Sequence, residues 1–508
     1  MLPFQKASLS AGVWLFACAL IGCGDSTASP DDAGGADADG NGGNGANGVG
    51  GSCCGEGGGG GTAEGGAGAA GEGGGGGGEP APCGSFPTFE DGLTPSVEVH
   101  VAQNGSDSTG DGSDGNPFAT IERAAQEATA GTSIVVHAGT YDGGGFIAGL
   151  EGSATAPIWI GGAPGEARPV LQGGDNGIAL QRARYVVIHD LEITGGQANG
   201  INCDDGSDYA NADAARFIVF RDLSIHDIGT GGNNDCLKLS GINDYWVLRT
   251  EFARCGGAMA GSGIDQVGCH RGVIAQNTFT EMSGNGVQCK GGSEDILVTA
   301  NHFVDAGERA VNIGGSTGFE FFRPPLSTSE PNAEARNIVV TANLIERGFA
   351  SLAFVGCVDC LAANNTIVDP ERWPFRILQE TTSEGSYTFL PASDGRVANN
   401  IIWFSAAAVT AHVNVGADTN PESFVFQNNL WFAHDDPGGS TPSLPVAESG
   451  GIVGEDPLFV EAAAGNYALE GGSPAIGAGV GLTELSGDRD GACFVDPPSI
   501  GAFEGGDP

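Results

Sequence analysis

Positive charge is scarce in this chain of 508 residues, with 20 lysines and arginines against 63 aspartates and glutamates and a formal charge of −43 at pH 7. So acidic a surface does not gather phosphates or settle on an anionic bilayer, which argues against nucleic acid and an anionic membrane face as partners. A naked polyanion could dock only through a metal or a local basic patch. Long apolar runs are also missing near the N-terminus: "AGVWLFACALIG" (11–22) falls short of the roughly 20 residues that a spanning helix needs. Paired CxxC zinc spacing is absent too, since Cys357 and Cys360 stand alone.

What is present begins with an export signal. Lys6 precedes the apolar run, which ends in "LIGC". This start resembles a bacterial lipoprotein signal (1–23), in which Cys23 is lipidated and becomes the new N-terminus; an ordinary cleaved secretory peptide is the alternative. Asp25 lies third from the lipidated position rather than second, so no inner-membrane retention signal is evident. The expectation is a protein held on the bacterial outer membrane or cell surface by an N-terminal lipid anchor. Residues 24–84 are Gly-rich ("GEGGGGGTAEGGAGAAGEGGGGGG") and have nothing to bury, so they read as a disordered linker. Nothing in the sequence fixes how Cys53, Cys54 and Cys83 pair.

Residues 85–508 carry an internal repeat, seen in "VVIHDLEI" (186–193), "IVFRDLSI" (218–225), "LVTANHF" (297–303), "VVTANLI" (339–345) and "VFQNNLW" (425–431). A turn column runs Asp190, Asp222, Thr250, Asn277, Asn301, Asn343, Asn365, Asn400, Asn429, mostly 22 to 35 residues apart. Strands this short bury no face alone, but stacked about 4.8 Å apart they share a continuous core. Asn suits such a turn because it tolerates the left-handed conformation and can bond the next Asn. The pattern predicts an all-β, single-stranded right-handed parallel β-helix, a monomer that grows along one axis. "FATIERAAQEAT" (118–129) has helical apolar spacing and is expected to cap its N-terminal end.

With "GIDQVG" (263–268) and "GVQCKGG" (286–292), the column resembles the pectate-lyase-like β-helix superfamily. The closing "DPLF", "GSPAIGAG" and "IGAFE" resemble the C-terminal segment of bacterial surface β-helix proteins. The superfamily holds lyases, hydrolases and non-catalytic adhesins, so the resemblance speaks to fold more than to chemistry.

If Ile201, Leu237, Ile264, Val287, Val311, Leu352 and Phe375 point inward, their successors Asn202, Lys238, Asp265, Gln288, Asn312, Ala353 and Arg376 form one outward row. A second row holds Asp204, Ser240, Lys290 and Gly314. Counting from the turn column instead turns Asp265 inward. In the lyases that the chain resembles, a Lys or Arg on this face acts as base and calcium often neutralises the uronate. That resemblance implies Lys290 as base, with Lys238, Asp265 and Arg309 beside it, and Gln288, Asn312, Arg376 and Arg323 on the substrate. An exposed lysine in a solvated row is the plain alternative.

Asp204, Asp205, Asp208 and Asp235 offer the oxygen ligands that calcium prefers, although an acidic loop reads equally well; no organic cofactor is expected. "GSDSTGDGSDG" (105–115), with Asp107, Asp111 and Asp114, reads as a polar turn. "NNDCLKLSG" (233–241) resembles part of the polygalacturonase pattern, but Asn234 replaces its paired Asp, and no Gly-His-Gly or Arg-Ile-Lys segment is present; "GCHRG" around His270 is a distant echo. The insertion "FEFFRPPLSTSEPNAEAR" (319–336) either walls a sugar groove through Phe321, Phe322 and Arg323 or packs on the coil below. The readings left open are a surface-anchored lyase of acidic polysaccharide, a non-catalytic binding or adhesion protein, and a hydrolase of polygalacturonase type.

Overall fold

A computed structural model describes residues 82–229, 234–257, 261–409 and 411–505. The lipoprotein signal with Cys23, the linker up to residue 81, and Cys53 and Cys54 lie outside the described residues. Apolar and polar residues alternate through short strands, and each strand pairs in parallel with the one a coil away. The described strands build three parallel sheets of 13, 10 and 12 strands, the three sides of a solenoid, and one small antiparallel hairpin, Phe459–Glu461 with Asn466–Leu469. Ile201, Leu237, Ile264, Val287, Val311, Leu352 and Phe375 are all fully buried, one per coil along the ten-stranded sheet. Each such side chain contributes roughly 1.5–3 kcal/mol relative to exposure. Inside the twelve-stranded side, Phe252, Phe279 and Phe303 stack with ring centroids 4.9 and 4.7 Å apart.

The capping helix is short, Ile121–Ala125, with the Thr120 hydroxyl accepting from the Arg123 N–H and with Ile121, Ala124 and Ala125 buried. The C-terminal segment runs back along the outside of the coil, where Ala475 and Ile500 pack on Ile401, Leu430 and Phe432. A Cys83–Cys493 disulfide ties the two ends of the described region, so Cys83 belongs to the folded part rather than to a pairing within the linker.

The turn column differs from its sequence reading in one respect. Strand register aligns Leu191 and Leu223, not Asp190 and Asp222, with Thr250 and the asparagines. The left-handed residues are the ones before the column: Asp190, Asp222, Arg249, Gln276, Ala300, Ala342, Asn364, Asn399 and Asn428. The asparagines therefore do not supply the turn conformation. They form a buried ladder, in which Asn343 Oδ1 accepts from Asn301 N at 2.9 Å and Asn301 Nδ2 at 3.0 Å, and the same pair of bonds recurs from Asn277 to Asn429.

Candidate active site

The ten-stranded sheet aligns Asn202, Lys238, Asp265, Gln288, Asn312, Ala353 and Arg376 as direct neighbours on successive coils. The register counted from Ile264 is the one adopted: Asp265 touches the Lys238 ammonium on the outer face. Lys290, two residues past Gln288, pairs with Val267 in the ladder and sends its Nζ back to within 3.6 Å of Asp265. Asp235 enters just before the Leu237–Ser240 strand, accepts the Ser262 N–H at 2.8 Å and lies 3.7 Å from Lys238 Nζ. Two lysines and two aspartates thus alternate in one cluster.

The cluster is buried: Lys290, Asp265 and Asp235 are each 1% exposed and Lys238 8%. Burial raises every carboxyl, but the outcome differs between the two. The Asp265 carboxyl is nonetheless held below its ordinary range because the Lys238 and Lys290 ammoniums outweigh desolvation. The Asp235 carboxyl is pushed up to about 7 by burial and then by the charge of Asp265, with Lys238 opposing. Among the described residues, Asp265 Oδ1 is buried without a hydrogen-bond partner. A proton-exchanging carboxyl beside two fixed ammoniums is suited to proton transfer next to an anion.

The other expected residues divide. Gln288 and Asn312 lie in the row and bond each other at 3.2 Å, and Arg309 donates to Asn312 at 3.0 Å. Arg309 itself does not reach the lysine–aspartate cluster, since its guanidinium is committed to Glu380 at 2.7 Å. Arg376 donates to Asn414 and stacks on Trp373; burial, then repulsion from Arg309, lowers it to about 10. Arg323 is not on an open groove. It is 7% exposed, pairs with Asp205 at 2.8 Å and stacks on Tyr209.

The space beside Gly291 and Gly292 is likewise taken by the chain's own insertion. A side chain on Gly291 would meet Thr317, and one on Gly292 would meet the Arg323 carbonyl. A bulge pairs Gly314 with Cys289 rather than with Lys290, which takes Gly314 out of the second row. Phe322 is buried against Phe389, and Phe319 packs on Tyr387 and Phe389.

The four aspartates do not fit a calcium ion. Asp235 stands level with Asn199, five residues and about 16 Å of strand from Asp204. Asp205 is held by Arg323, Asp204 accepts from Asn202 and the Gly206 N–H, and Asp208 accepts from Asn211. His270 is structural, bonded to Asn243 and the Gly292 carbonyl, and burial lowers its pKa.

Sequence reasoning missed Glu334. This buried carboxylate accepts from the Gly291 N–H at 2.7 Å and from Thr317 at 2.9 Å; burial raises it, while these bonds and the charge of Lys290 oppose. It sits in the irregular insertion, where no period marks it.

Residues 172–324 match the family model for a right-handed beta helix region. No curated protein sequence matches the chain. The backbone is similar to pectate lyase Pel9A at 16% identity, over 84% of this chain and 100% of that one, with a TM-score of 0.51. An alginate lyase from Paenibacillus sp. str. FPU-7 is similar at 16% identity over 64% and 97% of the two chains (TM-score 0.42), and a GH136 lacto-N-biosidase from Eubacterium ramulus at 14% over 66% and 67% (TM-score 0.46). The parallel coils, the matched region and the overlay of 84% of the chain on Pel9A make this chain a right-handed parallel β-helix.

Proposed function

We propose that this sheet face binds an acidic polysaccharide and cleaves it by β-elimination at a uronate. The observation that supports the reading is the cluster itself. In a chain of net charge −43, two ammoniums are fixed on one flank beside a carboxyl that exchanges its proton near pH 7. β-Elimination needs a base for the proton next to the uronate carboxylate and positive charge to neutralise that carboxylate. An ammonium in contact with Asp265 is a poor proton acceptor. We therefore assign neutralisation to Lys238 and Lys290, and the proton to Asp235. The fold shared with pectate lyase Pel9A agrees with such a substrate. A lipid on Cys23 would present the domain at the cell surface.

The test is a panel of polyuronates, with and without calcium, followed by absorbance of new unsaturated ends. Asp235 must be ionised to accept a proton, so cleavage is expected to rise as pH passes through about 7. Lys290 as base would move that rise towards the ordinary lysine range near 10.4. Asp235→Asn is expected to lower kcat/KM about 100-fold, and calcium to leave the rate unchanged. New reducing ends without unsaturation would make the protein a hydrolase instead. The burial of Lys290 and Asp265 favours a second reading, in which the cluster braces the coil and the face binds without cleaving. Retention on immobilised polyuronate, with no product from any member of the panel, would select it.

A further inference from the structure

The first coil brings together three groups that the proposed polysaccharide site does not use. His100 lies in the edge strand Val97–Val101, and His137 directly follows the neighbouring strand Thr132–Val136. His100 Nδ1 and His137 Nε2 face each other at 3.0 Å, and Asp114 Oδ1 lies 3.9 Å from the first and 3.5 Å from the second. Two bonds clamp the turn that carries Asp114 onto the His100 backbone: the His100 N–H donates to the Gly112 carbonyl at 2.8 Å, and the Phe118 N–H donates to the His100 carbonyl at 3.0 Å.

We propose that His100, His137 and Asp114 bind a divalent transition metal of the zinc type, which clasps the exposed first strand to the second coil. Metal–nitrogen and metal–oxygen bonds of about 2.0–2.1 Å in a tetrahedron set ligand atoms about 3.4 Å apart. The three observed separations bracket that value, so an ion fits with shifts of a few tenths of an ångström. Imidazole nitrogen with one carboxylate is a donor set for zinc and its neighbours, not for calcium or magnesium. The outer shell is also in place: His137 Nδ1 is 2.9 Å from Glu166, which accepts the Ala138 N–H with its other oxygen, so Nε2 is the nitrogen turned to the site. Among the described residues no other group of three His, Cys, Asp or Glu side chains converges this closely. His226, by contrast, meets only the carboxylates of Asp227 and Glu192.

Three ligands leave a fourth position for water. The site lies at the first strand of the thirteen-stranded sheet, where a metal cross-link between coils opposes fraying.

The test uses the full chain without an affinity tag, stripped with chelator and titrated with zinc and with cobalt. Expected are one equivalent of zinc per chain, a rise in Tm on binding, and the intense visible spectrum of four-coordinate cobalt. His100→Ala and His137→Ala should abolish all three signals. Asp114→Asn, which changes an exposed side chain and cannot disturb the core, should weaken zinc binding at least tenfold. His226→Ala should bind as wild type does. Equal zinc uptake by wild type and the His100→Ala/His137→Ala double variant, or no uptake by wild type at micromolar zinc, would overturn the proposal. The histidine pair would then be a simple hydrogen bond.

Discussion

Asp265→Ala is expected to destabilise the folded coil by about 3–5 kcal/mol, because it removes a carboxylate that two buried ammoniums share. Lys238 and Lys290 both contact this one carboxylate, and Lys290 is almost fully enclosed. Alanine leaves both charges in place, with Asp235 at 3.7 Å from Lys238. Lys290→Ala should cost less, since Asp265 keeps Lys238. Converting all three residues to apolar side chains of similar size should recover much of the loss, because the penalty lies in unpaired charge rather than in missing attraction. Denaturant unfolding of the four proteins measures the series. A cost for Asp265→Ala below about 1 kcal/mol, the range of an exposed pair, would mean that water reaches the cluster freely.

The pH dependence of that stability has two opposing parts. Asp265 has a lowered carboxyl, so its contribution is full above the unfolded value near 3.9 and fades as pH falls through its folded value. Asp235 has a raised one, so its contribution is full below about 4 and is lost as pH rises to about 7. Wild type should therefore lose stability between pH 4 and 7 relative to Asp235→Asn, in which that titration is gone.

The sequence carried the coil because a solenoid repeats its own evidence. Every rung restates the apolar alternation, and the inward positions counted from it are the buried ones. The row from Asn202 to Arg376 followed from the same period. What the period could not carry was anything that leaves the rungs. The segment after Gly315 folds back over this face, which puts Thr317 beside Gly291 and the Arg323 carbonyl beside Gly292. Arg323 reaches Asp205, a partner 118 residues away, which no local pattern announces. Asp235, one coil on from Asp204, looked like a calcium ligand. In the coil, however, Asp235 stands level with Asn199 rather than with Asp204, and it faces the Lys238 ammonium at 3.7 Å.

The asparagine ladder gives the second large effect, and its origin is distinct from charge. Asn343→Ala is expected to cost about 3–5 kcal/mol, the sum of several buried hydrogen bonds at about 1 kcal/mol each and the desolvation of partners left unmatched. Asn343 Oδ1 accepts from Asn301 N and Nδ2, and its Nδ2 donates to the Val298 carbonyl and to Asn365 Oδ1. Each of these groups is closed off from water, so alanine strands all of them. Asn343→Asp should be at least as damaging at neutral pH, because a carboxylate still accepts from Asn301 but faces the Val298 carbonyl and Asn365 Oδ1 with negative charge. If the asparagine served the turn instead, Asp would be tolerated nearly as well as Asn. The left-handed conformation belongs to Ala342, at φ 55°, and Leu191 and Leu223 fill the same column where the ladder has not begun. Leucine there has no amide neighbours to satisfy, so the coil can turn without asparagine, but a run of asparagines cannot lose its middle member. Thermal unfolding of Asn343→Ala, Asn343→Asp and Asn429→Ala separates the two accounts. The ladder account requires the first two to fall together and the third to fall less, because Asn429 ends the run against Glu448.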